Sequence, residues 1–252
     1  MLRIVSFGVV LSFAVVLVGC GENPAENVAP AVTSAPKSVD PLDNKVGGNP
    51  VAAEPEAAPA PAAAATPAPT PAAAAAPAPA PAAATGLAIS GASGSKIEFI
   101  GSKKVGGAHT GGFKAWTGAI EPSADGKGVA KISVDIDMTS IWSDDEKLTA
   151  HLKNQDFFEV DKFPKASFVT TEIKTGGEKG ATHTLVGNLT LHGVTKSIQI
   201  PATVKLDGGV AALTSEFSLK RSEFGMTFTG PGGVIRDEVV IKLDVKSAAK
   251  AG

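Results

Sequence analysis

Fourteen of the eighteen prolines in this 252-residue chain lie between Gly21 and Thr85, and only Pro122, Pro164, Pro201 and Pro231 follow. Proline fixes φ and removes a backbone donor, so neither helix nor sheet propagates through a stretch that meets one every few residues. The chain therefore reads as a tether plus one domain, although its length would accommodate two. Residues 50–85 hold 20 Ala and 10 Pro, and no large side chain follows Val51. With nothing to bury, such a segment is expected to stay extended and solvated. At ~3.1 Å per residue a polyproline stretch of that length would reach roughly 110 Å. It reads either as a spacer holding the domain off a membrane or as a low-complexity linker of no required length.

The start of the chain supplies the membrane. Met1-Leu2-Arg3 is followed by an uncharged run over residues 4–18, shorter than the roughly 17–25 residues that span a bilayer as a helix and suited to a secretory signal. It ends in Leu17-Val18-Gly19-Cys20, which reads as a bacterial lipobox, with the only cysteine of the chain at the lipidated position. Two or more acyl chains on one residue anchor stably where one does not. The expected organisation is a signal peptide over 1–19, a lipid-anchored disordered Ala/Pro-rich linker over 20–85, and a folded domain over 86–252. The expected location is the periplasmic side of a bacterial envelope, and Gly21, in place of Asp, points to the outer membrane.

Residues 86–252 carry 20 basic and 19 acidic residues with no basic block, which leaves no electrostatic footprint for nucleic acid. One cysteine excludes a disulfide framework and a four-cysteine zinc site. After Gly86 the hydrophobic pattern takes period two: Ile132, Val134, Ile136 and Met138 alternate with polar residues, as do Ile241, Leu243 and Val245. Similar runs cover 95–103, 112–120, 165–174, 184–191, 196–206 and 211–220, predicting about eight strands. Only 144–154 and the adjoining 155–160 read as helical, with Asp144, Asp145 and Glu146 suiting a helix start. The fold class is all-β: an eight-stranded antiparallel barrel with a short helical insertion, preceded by the disordered tether. A two-sheet sandwich would give much the same pattern.

The stretch His151-Leu152-Lys153-Asn154-Gln155-Asp156-Phe157-Phe158-Glu159-Val160-Asp161-Lys162-Phe163-Pro164-Lys165-Ala166-Ser167-Phe168 resembles the signature of the YceI-like, polyisoprenoid-binding family. So do Gly187-Asn188-Leu189-Thr190-Leu191-His192-Gly193-Val194-Thr195-Lys196, the early Phe113-Lys114-Ala115-Trp116-Thr117-Gly118 and the late Phe217-Ser218-Leu219-Lys220-Arg221-Ser222-Glu223-Phe224-Gly225-Met226. The resemblance covers roughly residues 94–247. It implies a lipocalin-like barrel whose apolar cavity takes a long isoprenoid or similar amphiphile, such as a quinone or a polyprenyl phosphate. The chain departs from the usual form in having no Tyr and in carrying a lipobox and long tether.

A prenyl cavity needs inward apolar side chains and few polar groups, because unpaired polar groups there are costly. The candidate lining residues are Phe113, Trp116, Ile132, Val134, Ile136, Phe157, Phe158, Phe168, Leu189, Leu191, Phe217 and Leu243; the same residues would equally fill a solid core. His151, His192, Lys220 and Arg221 are the candidate polar groups at a mouth. Phe224, Met226 and Phe228, flanked by glycines, read as a lid loop or an ordinary packed hairpin. The spacings of His109, His151, His183 and His192 match no metal motif, and no nucleophile elbow or H-E-x-x-H is present. The expectation is non-catalytic binding of an isoprenoid or similar amphiphilic lipid by a membrane-tethered barrel, for carriage, storage or sequestration, with no required cofactor; the alternative is a filled barrel serving as an interaction module on a stalk. An enzyme or a haem-associated redox accessory would need a ligand or nucleophile set that the sequence does not display.

Overall fold

The structure, a computed structural model, describes residues 23–37, 86–207 and 209–248. The expected signal peptide over 1–19, Cys20 and the run 50–85 lie outside the described residues. The strands of the domain are β3 (Leu87–Ser90), β4 (Lys96–Lys103), β5 (Ala108–Phe113), β6 (Trp116–Pro122), β7 (Val129–Asp137), β8 (Ile141–Ser143), β9 (Lys165–Thr175), β10 (His183–Leu191), β11 (Val194–Asp207), β12 (Val210–Lys220) and β13 (Ile235–Lys246). The short strands β1 (Ala29–Pro30) and β2 (Val32–Ser34) precede them, and α1 (Glu146–Leu152) follows β8.

Three pairs of these are single long strands with a bend: β3 and β4 across Gly91–Ser93, β5 and β6 across Lys114 and Ala115, β7 and β8 across Met138–Ser140. The last two bends are stitched together, Lys114 N donating to Ser140 O (3.3 Å) and Asp137 N to Ala115 O (3.0 Å). At Gly91 a Cβ would come within 2.8 Å of the Lys114 carbonyl, so the first bend needs glycine to lie this close to the second. Counting each bent pair once leaves the eight strands that the alternation marks.

Antiparallel pairing runs from β4 to β5, through the bend to β6 and β7, then β9, β10, β11, β12 and β13, and β13 pairs with β4. The ring closes into a barrel, which removes the sandwich alternative. Along this path the strands open only where β11 and β12 part beyond their paired residues 203–207 and 210–214. The helical insertion is shorter than its sequence pattern. Asp145 caps α1 by accepting from Leu148 N (2.8 Å), and the helix ends at Leu152. Residues 155–160 form turns, not helix, with Glu159 in the left-handed region at φ 44°.

Cross-strand register places one set of side chains inside. Leu87 faces Ile120, Ile120 faces Ile132, Leu185 faces Ile200, and Val204 faces Leu213. These belong to one continuous buried cluster. Gly187 lies on the same inner face, where a Cβ would meet the Phe168 ring at 2.7 Å and the Val169 carbonyl at 2.6 Å. Gly187→Val is expected to lose about 1–3 kcal/mol through overpacking, read as a lower urea midpoint at unchanged m-value.

Residues 23–37 depart from the expected tether. β1 pairs in parallel with β12 at Phe217 and Ser218, and β2 pairs antiparallel with β11 at Ser197, Ile198 and Gln199. The β11–β12 hairpin is paired only over 203–207 and 210–214; beyond Pro201, which has no N–H to contribute, the two strands separate and the segment fills the seam. Ala31 N donates to Ser218 O (2.8 Å), and Ala31 touches the interior cluster. Ala25 and Ala29 are buried, and Asn188 grips the far end, donating to Lys37 O (2.6 Å) and accepting from Lys37 N (3.0 Å). Small side chains are what a seam of this width admits. Ala29→Asp, which would bury an unpaired carboxylate, is expected to release the segment, and limited proteolysis would then cut within 23–37 while the barrel stays intact.

Candidate apolar site inside the barrel

The inner wall is uneven. Ile120, Leu185, Ile198 and Ala211 are fully buried, so one part of the interior is filled. Elsewhere the register sets Val134 opposite Phe168 and Phe168 opposite Leu189, with Leu191 opposite Val194, and all five are only half-buried. Phe113 and Phe158, also half-buried, pack against the same cluster and meet edge-on with ring centroids 6.4 Å apart. This part of the wall keeps free apolar surface.

Eleven of the twelve lining candidates fall in that single cluster: Trp116, Ile132 and Phe217 buried, and Phe113, Val134, Ile136, Phe158, Phe168, Leu189, Leu191 and Leu243 half-buried. The exception is Phe157, which sits with Phe99, Ile141 and Leu152 beneath α1. An apolar cleft of about 90 Å³ opens there, lined by Phe99, Leu148, Leu152, Phe157, Ile235 and Val239 among others. That is only about three water volumes. A larger groove of about 470 Å³ lies beside Asn27, Val28 and Ala29, among Glu98, Glu216 and Lys242. Its lining mixes these charged groups with Ala202, Ser215 and Leu243, which share the inward register of Ile200, Phe217 and Ile241.

The segment after β12 plugs the barrel. Phe224 and Met226 are buried in the interior cluster. Gly225 follows Phe224 at φ 79° and turns the chain back, and Phe228 packs on Phe157 and His151. Of the polar candidates, Arg221 is buried beneath this loop and donates to the carbonyls of Arg236, Met226 and Phe228. Burial pushes its pKa down, with Asp237 opposing. Lys220 is exposed at the end of β12. His151 Nε2 lies 2.7 Å from Asp156 Oδ2 and stands edge-on to Phe157. His192, at φ 51°, meets the Phe224 carbonyl through Nδ1 (3.1 Å) and packs on Phe163. Arg221, His151 and His192 thus hold loops around the mouth.

Lys196, absent from the candidates, is on the inner face: it lies opposite Leu189, between Val194 and Ile198 on β11. It is half-buried, with Nζ 3.8 Å from Glu223 Oε2. The signal was the one cation interrupting an otherwise apolar run at period two. The remaining histidines are spread out: His109 Nδ1 meets Asp144 Oδ1 (3.0 Å) and His183 Nδ1 meets Thr182 Oγ1 (2.8 Å). Asp144 also accepts from Thr110 N, which, ahead of His109, holds its carboxyl below the usual 3.8. A carboxylate whose folded pKa is lowered stabilises fully above the unfolded value and loses that contribution as pH falls through the folded one. At this exposed site Asp144→Asn is expected to flatten the acid limb of the stability–pH curve only slightly.

A closed eight-stranded barrel with an apolar inner wall, a plugged mouth and one inward cation defines a small β-barrel of the kind that encloses a ligand or a packed core. The YceI-like domain family matches residues 91–247, and the chain belongs to that family. It is 34% identical over 142 residues to the UPF0312 protein of Pseudomonas fluorescens strain SBW25, covering 54% of this chain and 71% of that one. It is 36% identical over 127 residues to the UPF0312 protein of Pseudomonas savastanoi pv. phaseolicola, covering 48% of this chain and 65% of that one. Among solved structures it is similar to BcnA of Burkholderia cenocepacia, with a TM-score of 0.52 at 21% identity over 62% of this chain and 98% of BcnA. A polyisoprenoid-binding domain from Saccharophagus degradans matches with a TM-score of 0.51 at 17% identity, over 66% of this chain and 99% of that domain.

Proposed function

We propose that the barrel binds one chain-shaped hydrophobic lipid, an isoprenoid such as a quinone or a polyprenyl phosphate, without converting it, and that it does so while anchored through Cys20 on the periplasmic side of a bacterial envelope. The observation that carries this reading is the half-buried apolar patch of Val134, Phe168, Leu189 and Leu191 on the inner wall. The polyisoprenoid binding of the similarly folded Saccharophagus domain supports it. Lys196 supplies one cation beside that patch, suited to an anionic head group. Each buried methylene contributes ~0.8 kcal/mol, so ten give roughly 8 kcal/mol against association costs of ~4–15 kcal/mol. Only a long chain binds tightly on those terms, and the plug of Phe224 and Met226 must move to admit it.

Native mass spectrometry of the secreted full chain, followed by lipid extraction, tests this reading directly. A stoichiometric prenyl species is the expected result. Leu189→Asp, placing a carboxylate on the apolar wall, is expected to weaken uptake at least about tenfold. An empty protein that also takes up neither added quinone nor polyprenyl phosphate overturns the reading. The fully buried plug then favours the second one, a filled barrel used as an interaction module.

A further inference from the structure

The segment that follows the lipidation site is docked on the barrel, and this sets where the barrel sits. Asn23 is three residues from Cys20, a distance the chain covers in at most about 11 Å. From Asn23 onward the segment is held: Asn23 caps Ala25 N, Lys179 Nζ donates to Asn27 O (3.1 Å), β1 lies on β12 and β2 on β11. The hold continues to Lys37, fixed by Asn188 and facing Glu172 across 3.7 Å. The next described residue, Gly86, opens the domain and leads into β3. The Ala/Pro-rich run therefore joins two points that are both on the barrel. It does not lie between barrel and anchor.

We propose that the side of the barrel carrying the β11–β12 seam is its membrane-apposed surface, held against the bilayer by the acyl chains on Cys20, and that the run between Lys37 and Gly86 sets no stand-off distance. This rests on the lipobox reading of Cys20 above. Val32, on the docked segment, is one of two exposed large hydrophobic residues among those described, and it stands on the side that the anchor draws to the lipid.

The lipidated full chain on a supported phosphatidylethanolamine/phosphatidylglycerol bilayer, measured by neutron reflectometry, tests the proposal against its opposite. The expected profile is a protein layer in direct contact with the head groups, unchanged when residues 50–85 are deleted. Ala29→Asp, which releases the docked segment, is expected to open a hydrated gap. A coil of the 66 residues over 20–85 averages roughly 45 Å end to end at about 5–6 Å × √n, so a spacer produces a gap well outside contact range. A wild-type layer separated from the head groups, with a gap that narrows in the deletion variant, overturns the proposal and leaves the anchor standing. A mature chain without diacylglyceryl mass on Cys20, failing to bind the bilayer, overturns both.

Discussion

Phe224→Ala is expected to cost about 3–5 kcal/mol of folding stability, the usual range for removing a fully buried phenylalanine. Phe224 is completely inaccessible and belongs to the cluster that fills the barrel. Its carbonyl is held by His192 and its position by the left-handed Gly225, so the surrounding loop has little freedom to collapse into the void. Urea denaturation at a fixed m-value reads the loss, and Phe224→Leu should recover most of it. Because the lost ring is also the plug, the variant that remains folded is expected to take up a prenyl probe faster than wild type. A loss below about 1 kcal/mol would show that the loop does not pack into the interior.

Arg221→Met is the second large effect. The guanidinium donates to Arg236 O through Nε (3.3 Å) and Nη2 (3.0 Å), to Phe228 O (3.1 Å) and, more weakly, to Met226 O (3.5 Å), and lies 5.8 Å from the Phe157 ring centroid. Methionine keeps the apolar volume and removes the donors. Leaving buried carbonyls unpaired costs about 1–3 kcal/mol each, so a total loss of about 3–5 kcal/mol is expected, with protease sensitivity rising in the loop between β12 and β13. Burial lowers the arginine pKa, and the nearby Asp237 opposes that shift. Arg221→Lys is expected to recover little, since a single ammonium cannot span the three carbonyls. Equal stability of Arg221→Met and wild type would mean the residue is available to a ligand at the mouth after all.

The strands of the domain were legible because a side-chain period of two is imposed by the pleat itself. Ile132, Val134 and Ile136 could lie on one face only if the chain were extended. The capped start of α1 was legible for an equally local reason, the Asp145 carboxylate meeting Leu148 N. Strand candidates such as Ile132, Val134, Phe168 and Leu189 follow from the same alternation, as does Lys196, the cation in register with Val194 and Ile198, whereas Phe157 and Phe158 lie in turns that no alternation marks. The neighbour of Lys196, Glu223, is not on the strand, and only the fold brings the two within 3.8 Å.

What could not be read depends on partners distant in sequence. The bends at Gly91, Ala115 and Ser140 exist because two bent strands lie on one another, a contact written in no single segment. The roles of Arg221 and His192 were hidden likewise: a basic residue at a strand end reads as solvated until the β12–β13 loop folds over it. The clearest case is residues 23–37. With Pro24, Pro30 and Pro36 and few large side chains, they lack any local drive to order, and their order comes from backbone groups left open where β11 and β12 part. By itself the sequence determined one all-β domain after a proline-rich run, the number of its strands and which face of each is apolar, since these follow from backbone geometry and side-chain period. The tertiary structure alone decided that the ring closes, that Phe224 plugs it and that residues 23–37 lie on its wall, because each needs hydrogen-bonding groups or apolar surface supplied by another part of the chain.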